Sequence, residues 1–177
     1  MKSTGVVRRI DELGRIVIPK EIRRTLHIHE GDPLEIYTDA EGGVVLKKYS
    51  QIGELSVFAQ DYADVLAKYI DLPMLVCDLD CVVSVAGVPR KELLGRTITP
   101  WLEECIQNRK SFINMGKSEF RPVHGVDWYA SVVCPIIASS EVTGAVILLQ
   151  NVKNEVPDQT KITLVQVAAT FLGKQME

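Results

Sequence analysis

Apolar and polar residues alternate in short runs over the first fifty residues. Residues 6–10 and 15–18 combine valine and isoleucine with arginine, and the turn residues 11–14 separate the two runs. Runs of this kind, bounded by turn residues, predict two β-strands. Pro19 ends the second strand and suits the first turn of a helix at 20–26, where a missing N–H group costs nothing.

A second pair of alternating runs follows at 34–38 and 44–48, joined by Glu41, Gly42 and Gly43. This spacing predicts a β-hairpin. A unit of four strands and one short helix in about 50 residues buries a modest fraction of its surface and is marginal alone. Because its apolar content is high for that size, we expect two chains to share one core in an obligate dimer.

Helical periodicity marks the beginning and the end of the remaining chain. Residues 50–53 form a weak joint, and apolar side chains then recur at three- and four-residue spacing over 55–70. Pro73 ends that helix, and Pro157 opens a closing helix at 158–176. The two helices therefore enclose the rest of the C-terminal sequence.

The segment between these helices alternates as strands. Strands are predicted at 74–77, 81–85, 120–123, 128–137 and 143–149. A short helix is expected in the loop 87–95 and another helix at 101–108, and Pro135 indicates an edge position or a bulge. An antiparallel sheet between an opening and a closing helix is an α+β fold. The chain is thus predicted to have two domains, a mainly β domain at 1–50 and an α+β domain at 51–177.

Charge is distributed unevenly along the chain. The formal net charge of the whole protein is −3, yet the first 29 residues carry seven basic and three acidic side chains, a net charge of +4. The remaining 148 residues therefore sum to −7. Such asymmetry predicts a polyanion-binding domain attached to an acidic body.

The composition limits the function classes. Hydrophobic residues make up 46% and charged residues 24%, as in ordinary soluble proteins. No apolar run reaches the roughly 20 residues of a membrane span, and the N-terminus lacks the apolar block of a signal peptide. The cysteines, Cys77, Cys81, Cys105 and Cys134, lack metal-binding spacing. We expect a cytoplasmic protein with reduced, mostly buried thiols and with no metal, known cofactor or membrane partner.

The order of residues near the N-terminus resembles a known family. The stretch STGVVRRIDELGRIVIPKEIRRTL is followed by EGDPLEIY and VVLKKY, and together they resemble the AbrB-type swapped-hairpin DNA-binding domain of bacterial transition-state regulators. The remaining chain is similar to a GAF-type sensor domain in its helix-flanked sheet. The pairing of the two at this chain length resembles a family of sporulation transcription factors.

The resemblance implies a homodimer in which two chains interleave their hairpins into one β-barrel, with a basic face for double-stranded DNA. It also implies a homotetramer, nucleoid-associated in a bacterial cell, whose C-terminal domains pair through their terminal helices. The family's DNA-contacting positions are Arg8, Arg9, Arg15, Arg23 and Arg24 here. Phosphate contacts orient a protein without reading bases, so we expect a degenerate operator. The alternative for Arg23 and Arg24 is that they are solvated helix residues paired with Glu21 or Glu35.

A GAF fold usually encloses a pocket, which implies a candidate effector site for an unidentified small molecule. The predicted lining is Val85, Arg90, Trp101, Phe112, Trp128 and Tyr129. The alternative is that these aromatic residues fill the core. The N-K-F-D-E set of cyclic-nucleotide GAF domains is missing, because the only adjacent Asp-Glu pair is Asp11-Glu12 in the other domain.

The sequence thus favours a non-enzymatic activator and repressor of sporulation genes whose DNA affinity responds to a signal at the GAF domain. One rival is an antitoxin and autorepressor, since MazE-type antitoxins share the hairpin fold. Their short acidic tail differs from the long, strand-rich C-terminal region here. An enzyme would need a nucleophile or acid–base motif, and neither G-x-S-x-G nor H-E-x-x-H occurs. A thiol sensor built on Cys77 and Cys81 is a further rival.

Overall fold

The computed structural model describes residues 4–116, 119–150 and 156–177. Its contacts divide the chain into two compact units, Met1–Tyr49 and Ser50–Glu177. We refer to them as the N-terminal unit and the C-terminal unit.

From residue 4 onwards, where the structure describes it, the N-terminal unit contains one helix and one hairpin. Helix α1 spans Lys20–Thr25, and strands β1 (Leu34–Thr38) and β2 (Val44–Lys48) pair antiparallel. The side chain of Asp39 closes the turn by accepting hydrogen bonds from the backbone N–H groups of Glu41 (3.0 Å) and Gly43 (2.6 Å). The predicted hairpin is confirmed at both strands, and the predicted helix ends one residue early.

The two strands predicted at 6–10 and 15–18 are not formed, and this part of the prediction is wrong for the single chain. The described backbone bonds between the two runs are confined to the turn. The N–H of Asp11 donates to the carbonyl of Arg15 (3.0 Å), and the N–H of Gly14 donates to the carbonyl of Asp11 (3.0 Å). Alternation identifies side chains that suit a core, but a strand also needs a neighbouring backbone, which this chain does not provide here.

The apolar side chains of the N-terminal unit remain largely exposed. Of its described residues only Pro19 is buried. Ile22 is half-buried and Leu26 is 55% exposed, so the expected entry of Leu26 into a core does not occur within one chain. The other exposed apolar side chains are Val6, Val7, Ile10, Leu13, Ile16, Val17, Ile36, Tyr37 and Val44. One chain therefore does not complete the core of this unit.

The C-terminal unit is built on a five-stranded antiparallel sheet. Its strands are β3 (Met74–Cys77), β4 (Val82–Ala86), β5 (Phe112–Ile113), β6 (Tyr129–Ala138) and β7 (Glu141–Gln150). They lie in the order β4-β3-β7-β6-β5, with the long β6–β7 hairpin turning at Ser139 and Ser140. With helices on both faces, this is the expected α+β, GAF-like arrangement.

In the described part of the C-terminal unit, five helices accompany this sheet. They are α2 (Gln51–Glu54), α3 (Ser56–Ile70), α4 (Arg90–Leu93), α5 (Pro100–Gln107) and α6 (Gln159–Gln175). Side-chain caps begin three of them, from Ser50, Thr99 and Asp158. The joint expected at 50–53 is instead a helical turn, because Ser50 accepts a hydrogen bond from the N–H of Gly53 (3.0 Å) and Ile52 is fully buried.

The helices form two layers with separate cores. Helices α3 and α6 cover the same face of the sheet, rather than opposite faces, and share one apolar core with it. Helices α4 and α5 cover the other face over a second core. Helix α6 lies directly on β6, since a Cβ atom on Gly173 would be 2.2 Å from the carbonyl oxygen of Ile137.

Two features of the sheet edge bear on the sequence prediction. No strand forms at 120–123, where Val123 makes only an isolated bridge to Ile98; the edge strand is the two-residue β5 instead. Strand β5 pairs with β6 only at Val132 and Val133, and the register of β6 shifts just after Pro135, between Ile136 and Ile137. The edge or bulge expected at this proline is confirmed.

Candidate nucleic-acid interface

The loop between the two N-terminal runs holds Arg15 against Asp11. One carboxylate oxygen of Asp11 accepts from the backbone N–H of Leu13 (2.9 Å) and of Arg15 (2.8 Å). The other oxygen accepts from the Nε–H of Arg15 at 2.7 Å. Gly14 closes the turn with φ of +75°, a conformation that favours glycine. The loop therefore holds the backbone N–H and the Nε of Arg15, while the side chain stays 71% exposed at the surface.

Helix α1 presents Arg23 and Arg24 to solvent. Both side chains are exposed, and in the described part of the chain neither forms an ion pair. The alternative pairing with Glu21 or Glu35 is therefore not observed. Two adjacent cations without a neutralising carboxylate form a local positive field that a polyanion can occupy.

Arg8 and Arg9 are also exposed, in the segment before the Asp11 loop. Arg8 donates from a terminal nitrogen to the carbonyl of Val7 (3.1 Å), a weak local contact that a ligand could replace. All five predicted DNA-contacting arginines thus lie at the surface of the N-terminal unit. Their contact with DNA stays a prediction.

The end of α1 is anchored to β2 by a lysine that the sequence analysis missed. Lys48 donates from Nζ to the carbonyl of His27 (2.9 Å) and lies 3.2 Å from a carboxylate oxygen of Asp32. The same oxygen accepts from the backbone N–H of His29 (2.7 Å). Hydrogen bonding across 21 residues cannot be recognised from local spacing, although the alternation of β2 places Lys48 at its end.

Burial and hydrogen bonding have opposite effects on the pKa of Asp32. Burial raises the pKa of the carboxyl, whereas the bonds from the His29 amide and the Lys48 ammonium lower it. The pKa is lowered overall, below the ordinary value of 3.8. Asp32 is therefore ionised at neutral pH and holds the segment after α1 in place, which fixes the position of the arginine-bearing helix.

The residues predicted to line an effector pocket mostly pack into the second core of the C-terminal unit. Val85 and Tyr129 are 1% and 7% exposed, and Trp128 packs at the margin of that core. Trp101 stacks on Phe120 at 4.4 Å between ring centroids, and Phe112 meets its edge at 5.1 Å. These contacts agree with the alternative in which the aromatic residues fill the core.

Arg90 lies apart from these residues, at a different cleft. The cleft has a volume of about 260 Å³, and its lining is Ser56, Val57, Gln60, Asp61, Val83, Arg90 and Leu94. The guanidinium of Arg90 is paired with Asp64 at 3.1 Å. None of the other five predicted pocket residues lines this cleft. The predicted effector pocket stays a prediction, with Arg90 as the member of the set that lines this cleft.

Residues 4–116, 119–150 and 156–177 contain no cluster of three or more His, Cys, Asp or Glu side chains that could hold a metal ion. Among the helices within those ranges, none combines the length and the apolar character that crossing a bilayer requires.

Comparison with known proteins shows the family of this chain. The family described as stage V sporulation protein T C-terminal, transcription factor, matches residues 54–177. The stage V sporulation protein T of Bacillus subtilis is 44% identical over 179 aligned residues, covering 100% of this chain and 99% of the relative. The chain belongs to the stage V sporulation protein T family. The resemblance to sporulation transcription factors seen in the sequence is confirmed.

The N-terminal unit of this stage V sporulation protein T family member has relatives of its own. The transition state regulatory protein AbrB of Bacillus subtilis is 67% identical over 49 residues, which are 28% of this chain and 50% of the relative. The family described as antidote-toxin recognition MazE, bacterial antitoxin, matches residues 7–54. Since residues 54–177 match the sporulation family instead, the antitoxin likeness is confined to the N-terminal unit and its junction.

The fold of the C-terminal unit recurs in a distant protein. The type II free methionine-R-sulfoxide reductase from Thermoplasma acidophilum aligns with a TM-score of 0.51 and 10% identity, covering 69% of this chain and 94% of that chain. At this identity the likeness concerns the fold alone.

Proposed function

We propose that this protein is a DNA-binding transcription regulator of sporulation genes, with the N-terminal unit holding double-stranded DNA. The observation that carries the proposal is the pair Arg23 and Arg24, exposed on α1 and without carboxylate partners among the described residues. They lie in a 29-residue stretch with a net charge of +4 in an otherwise acidic chain. Family membership supports the regulatory role, and such a regulator acts in the cytoplasm, at the nucleoid.

Arginine suits this task for two physical reasons. Neutralising DNA phosphates releases condensed counterions, and this release drives binding whatever the base sequence. The guanidinium is also a planar fork that makes two parallel hydrogen bonds to a phosphate or to a guanine edge. Arg8, Arg9 and Arg15 add three more such groups in each chain.

A homodimer through the N-terminal unit is part of this proposal. Ile36 is 68% exposed and Ile16 is 53% exposed in one chain, although both belong to runs with the alternation of buried strands. A second copy of the chain would supply both the missing strand neighbours for 6–10 and 15–18 and the missing apolar cover. It would also double the number of arginines at the DNA face.

Further pairing into a tetramer is supported by the outer face of α3 and α6. Phe171 lies 5.8 Å from Phe58 and 5.1 Å from Tyr62 between ring centroids, so aromatic side chains join the two helices. Around them Tyr69 is 80% exposed and Val167 is 49% exposed. This apolar face suits contact between C-terminal units, and a signal that changes their packing would alter the placement of the DNA-binding dimers.

The proposal is tested by DNA affinity across a salt series. Fluorescence anisotropy on a promoter-length duplex should give a plot of log K against the logarithm of the salt concentration. Its slope should be about −7, because about eight phosphates are neutralised per dimer. Arg23→Ala/Arg24→Ala should flatten the slope by roughly 3 to 4 units, since four charges per dimer are removed. The matched control is Lys91→Ala/Arg96→Ala, which removes the same charge from exposed side chains of the C-terminal unit.

The control should leave the slope unchanged, and size-exclusion chromatography should show the same oligomer for all three proteins. Absence of binding by the wild-type protein at low salt would overturn the proposed function. An equal change in both double variants would show that net charge, rather than helix α1, governs the affinity.

A further inference from the structure

The Asp11 loop is more tightly bonded than a surface turn requires. Within five residues the carboxylate of Asp11 accepts three hydrogen bonds, two from backbone N–H groups and one from the Nε–H of Arg15. Two backbone bonds close the same loop, from Asp11 to Arg15 and from Gly14 to Asp11. The backbone and the side chain of Arg15 are thus held by one carboxylate.

This arrangement leaves part of the guanidinium available. Asp11 contacts Nε, and the two terminal nitrogens of Arg15 have no hydrogen-bond partner among the described residues. The Arg15 side chain is 71% exposed despite the ion pair. A ligand can therefore approach the terminal nitrogens, which carry four of the five N–H bonds of the group.

We propose that Asp11 is a positioning residue for DNA recognition, which holds Arg15 with its terminal nitrogens directed to a base edge or to two phosphate oxygens. The proposal rests on the proposed function, because it concerns how the side chain of one predicted DNA-contacting arginine is oriented before DNA binds. An arginine that is ordered before binding loses less rotamer freedom when it meets its target. A fixed fork also discriminates better between a correct and an incorrect base than a mobile one.

The negative charge of Asp11 has a second effect, on unspecific binding. A carboxylate at the DNA face repels phosphates and cancels one cation, so it weakens attraction to every sequence. The hydrogen bonds from the backbone and side chain of Arg15 hold the pKa of Asp11 below its ordinary value of 3.8, so this charge is present at neutral pH. Asp11 therefore lowers affinity for random DNA while it sharpens the contact made by Arg15.

A purely structural role predicts a different result. If Asp11 only closes the loop, its loss weakens binding to all DNA alike, through loop disorder, and an exposed ion pair adds little to that. Two conservative variants separate the functions of the carboxylate. Asp11→Asn keeps an oxygen for the backbone N–H groups of Leu13 and Arg15 but removes the charge. Asp11→Glu keeps the charge but displaces it from the turn.

The experiment measures discrimination on the full-length protein. The probes are a duplex enriched from a random-sequence pool by the wild-type protein and a duplex of the same length and composition with shuffled base order. The ratio of the two dissociation constants is compared for wild type, Asp11→Asn, Asp11→Glu and Arg15→Ala, and for Asp11→Asn combined with Arg15→Ala. Thermal unfolding of each protein verifies that it is folded.

We expect Asp11→Asn to reduce the discrimination ratio roughly five- to tenfold, because the guanidinium loses its orientation. Its salt dependence on shuffled DNA should steepen by about 1 to 2 units per dimer, since the carboxylates no longer compete with phosphate. Asp11→Glu should retain more of the ratio than Asp11→Asn. In the Arg15→Ala background, Asp11→Asn should leave the ratio unchanged.

Two results would overturn the inference. The first is an unchanged ratio for Asp11→Asn, including the case in which both duplexes lose affinity equally, which marks a structural role. The second is the same reduction of the ratio with and without Arg15. If the wild-type protein bound neither the random pool nor the shuffled duplex at low salt, the proposed function itself would fail. That outcome is visible before any variant is made.

Discussion

The side-chain amide of Gln60 on α3 pairs with both backbone groups of Val85 on β4. Its Nε2 donates to the carbonyl of Val85 (2.7 Å), and the N–H of Val85 donates to its Oε1 (3.1 Å). Gln60 is 8% exposed, and Val85 is 1% exposed. The amide thus occupies the place of a neighbouring strand at the β4 edge of the sheet, and α3 is attached to that edge.

Replacing Gln60 with Leu should destabilise the C-terminal unit by about 1–3 kcal/mol, because two buried backbone groups of Val85 lose their partners. Urea unfolding followed by tryptophan fluorescence reports this unit, since both tryptophans, Trp101 and Trp128, lie in it. The matched control is Gln107→Leu on the surface of α5, with an expected change within about 0.5 kcal/mol. Equal effects of the two variants would contradict the role assigned to Gln60.

A charge at Ile36 should disrupt the proposed dimer of the N-terminal unit. Ile36 lies opposite Leu46 in the β1–β2 hairpin and is 68% exposed in one chain. Ile36→Asp should shift the oligomer towards monomer in sedimentation velocity and reduce DNA affinity with it. Leu79→Asp, at a 37% exposed turn position of the C-terminal unit, is the control and should change neither quantity. A variant of Ile36 that stays fully associated would contradict the shared core.

Cys77 should behave as an inert thiol. Its side chain is fully buried, and burial raises the pKa of the thiol far above its ordinary value, so almost no thiolate exists at neutral pH. Titration with Ellman's reagent should detect four thiols in denaturant and at most three in the native protein. Cys77→Ala should remove one thiol in denaturant and leave the native reaction unchanged. Peroxide-induced loss of DNA affinity that this substitution abolishes would restore the thiol-sensor hypothesis.

Acid should destabilise the segment that follows α1. The pKa of Asp32 is lower in the folded protein than its ordinary value of 3.8. The ionised carboxylate therefore stabilises the folded state at pH values above 3.8, and this stability is lost as pH falls through the lower, folded pKa. The protection factor of the His29 amide against hydrogen exchange should therefore fall as pH is lowered through this range. Asp32→Asn should flatten that pH dependence.

Lys48→Met provides the complementary measurement. It removes the ammonium that lowers the pKa of Asp32, while the burial that raises it remains, so the carboxyl resonance of Asp32 should titrate at higher pH by NMR. An unshifted titration would show that the Lys48 contact is not populated in solution.

Local pattern was sufficient where an element is completed by its own neighbours in sequence. The strands at 34–38, 44–48 and 74–77 form with the predicted bounds, because alternation and turn residues determine them. The pattern failed at 6–10 and 15–18, where no strand forms because the same chain does not place a neighbouring backbone alongside. It also missed β5, since two residues cannot show a period.

The sequence likewise predicted some residues of the candidate site and not others. Its arginines were identified by charge and by family resemblance, because these are properties of the sequence itself. Asp11 and Lys48 were not identified as partners, since their significance depends on where carboxylate, ammonium and backbone groups meet in space. The Asp11–Arg15 spacing across a glycine turn was the available signal, because aspartate side chains commonly cap such turns.

The exposed apolar side chains of the N-terminal unit also have a consequence for the lifetime of the protein in the cell. A newly made chain carries a completed C-terminal unit and an N-terminal unit with apolar side chains in water, a surface that chaperones and proteases recognise. In the proposed dimer, association would remove that surface by mass action, so the surviving fraction would increase with synthesis rate. The level of functional regulator would then rise more steeply than the rate of its synthesis, and a modest change in expression would act as a threshold.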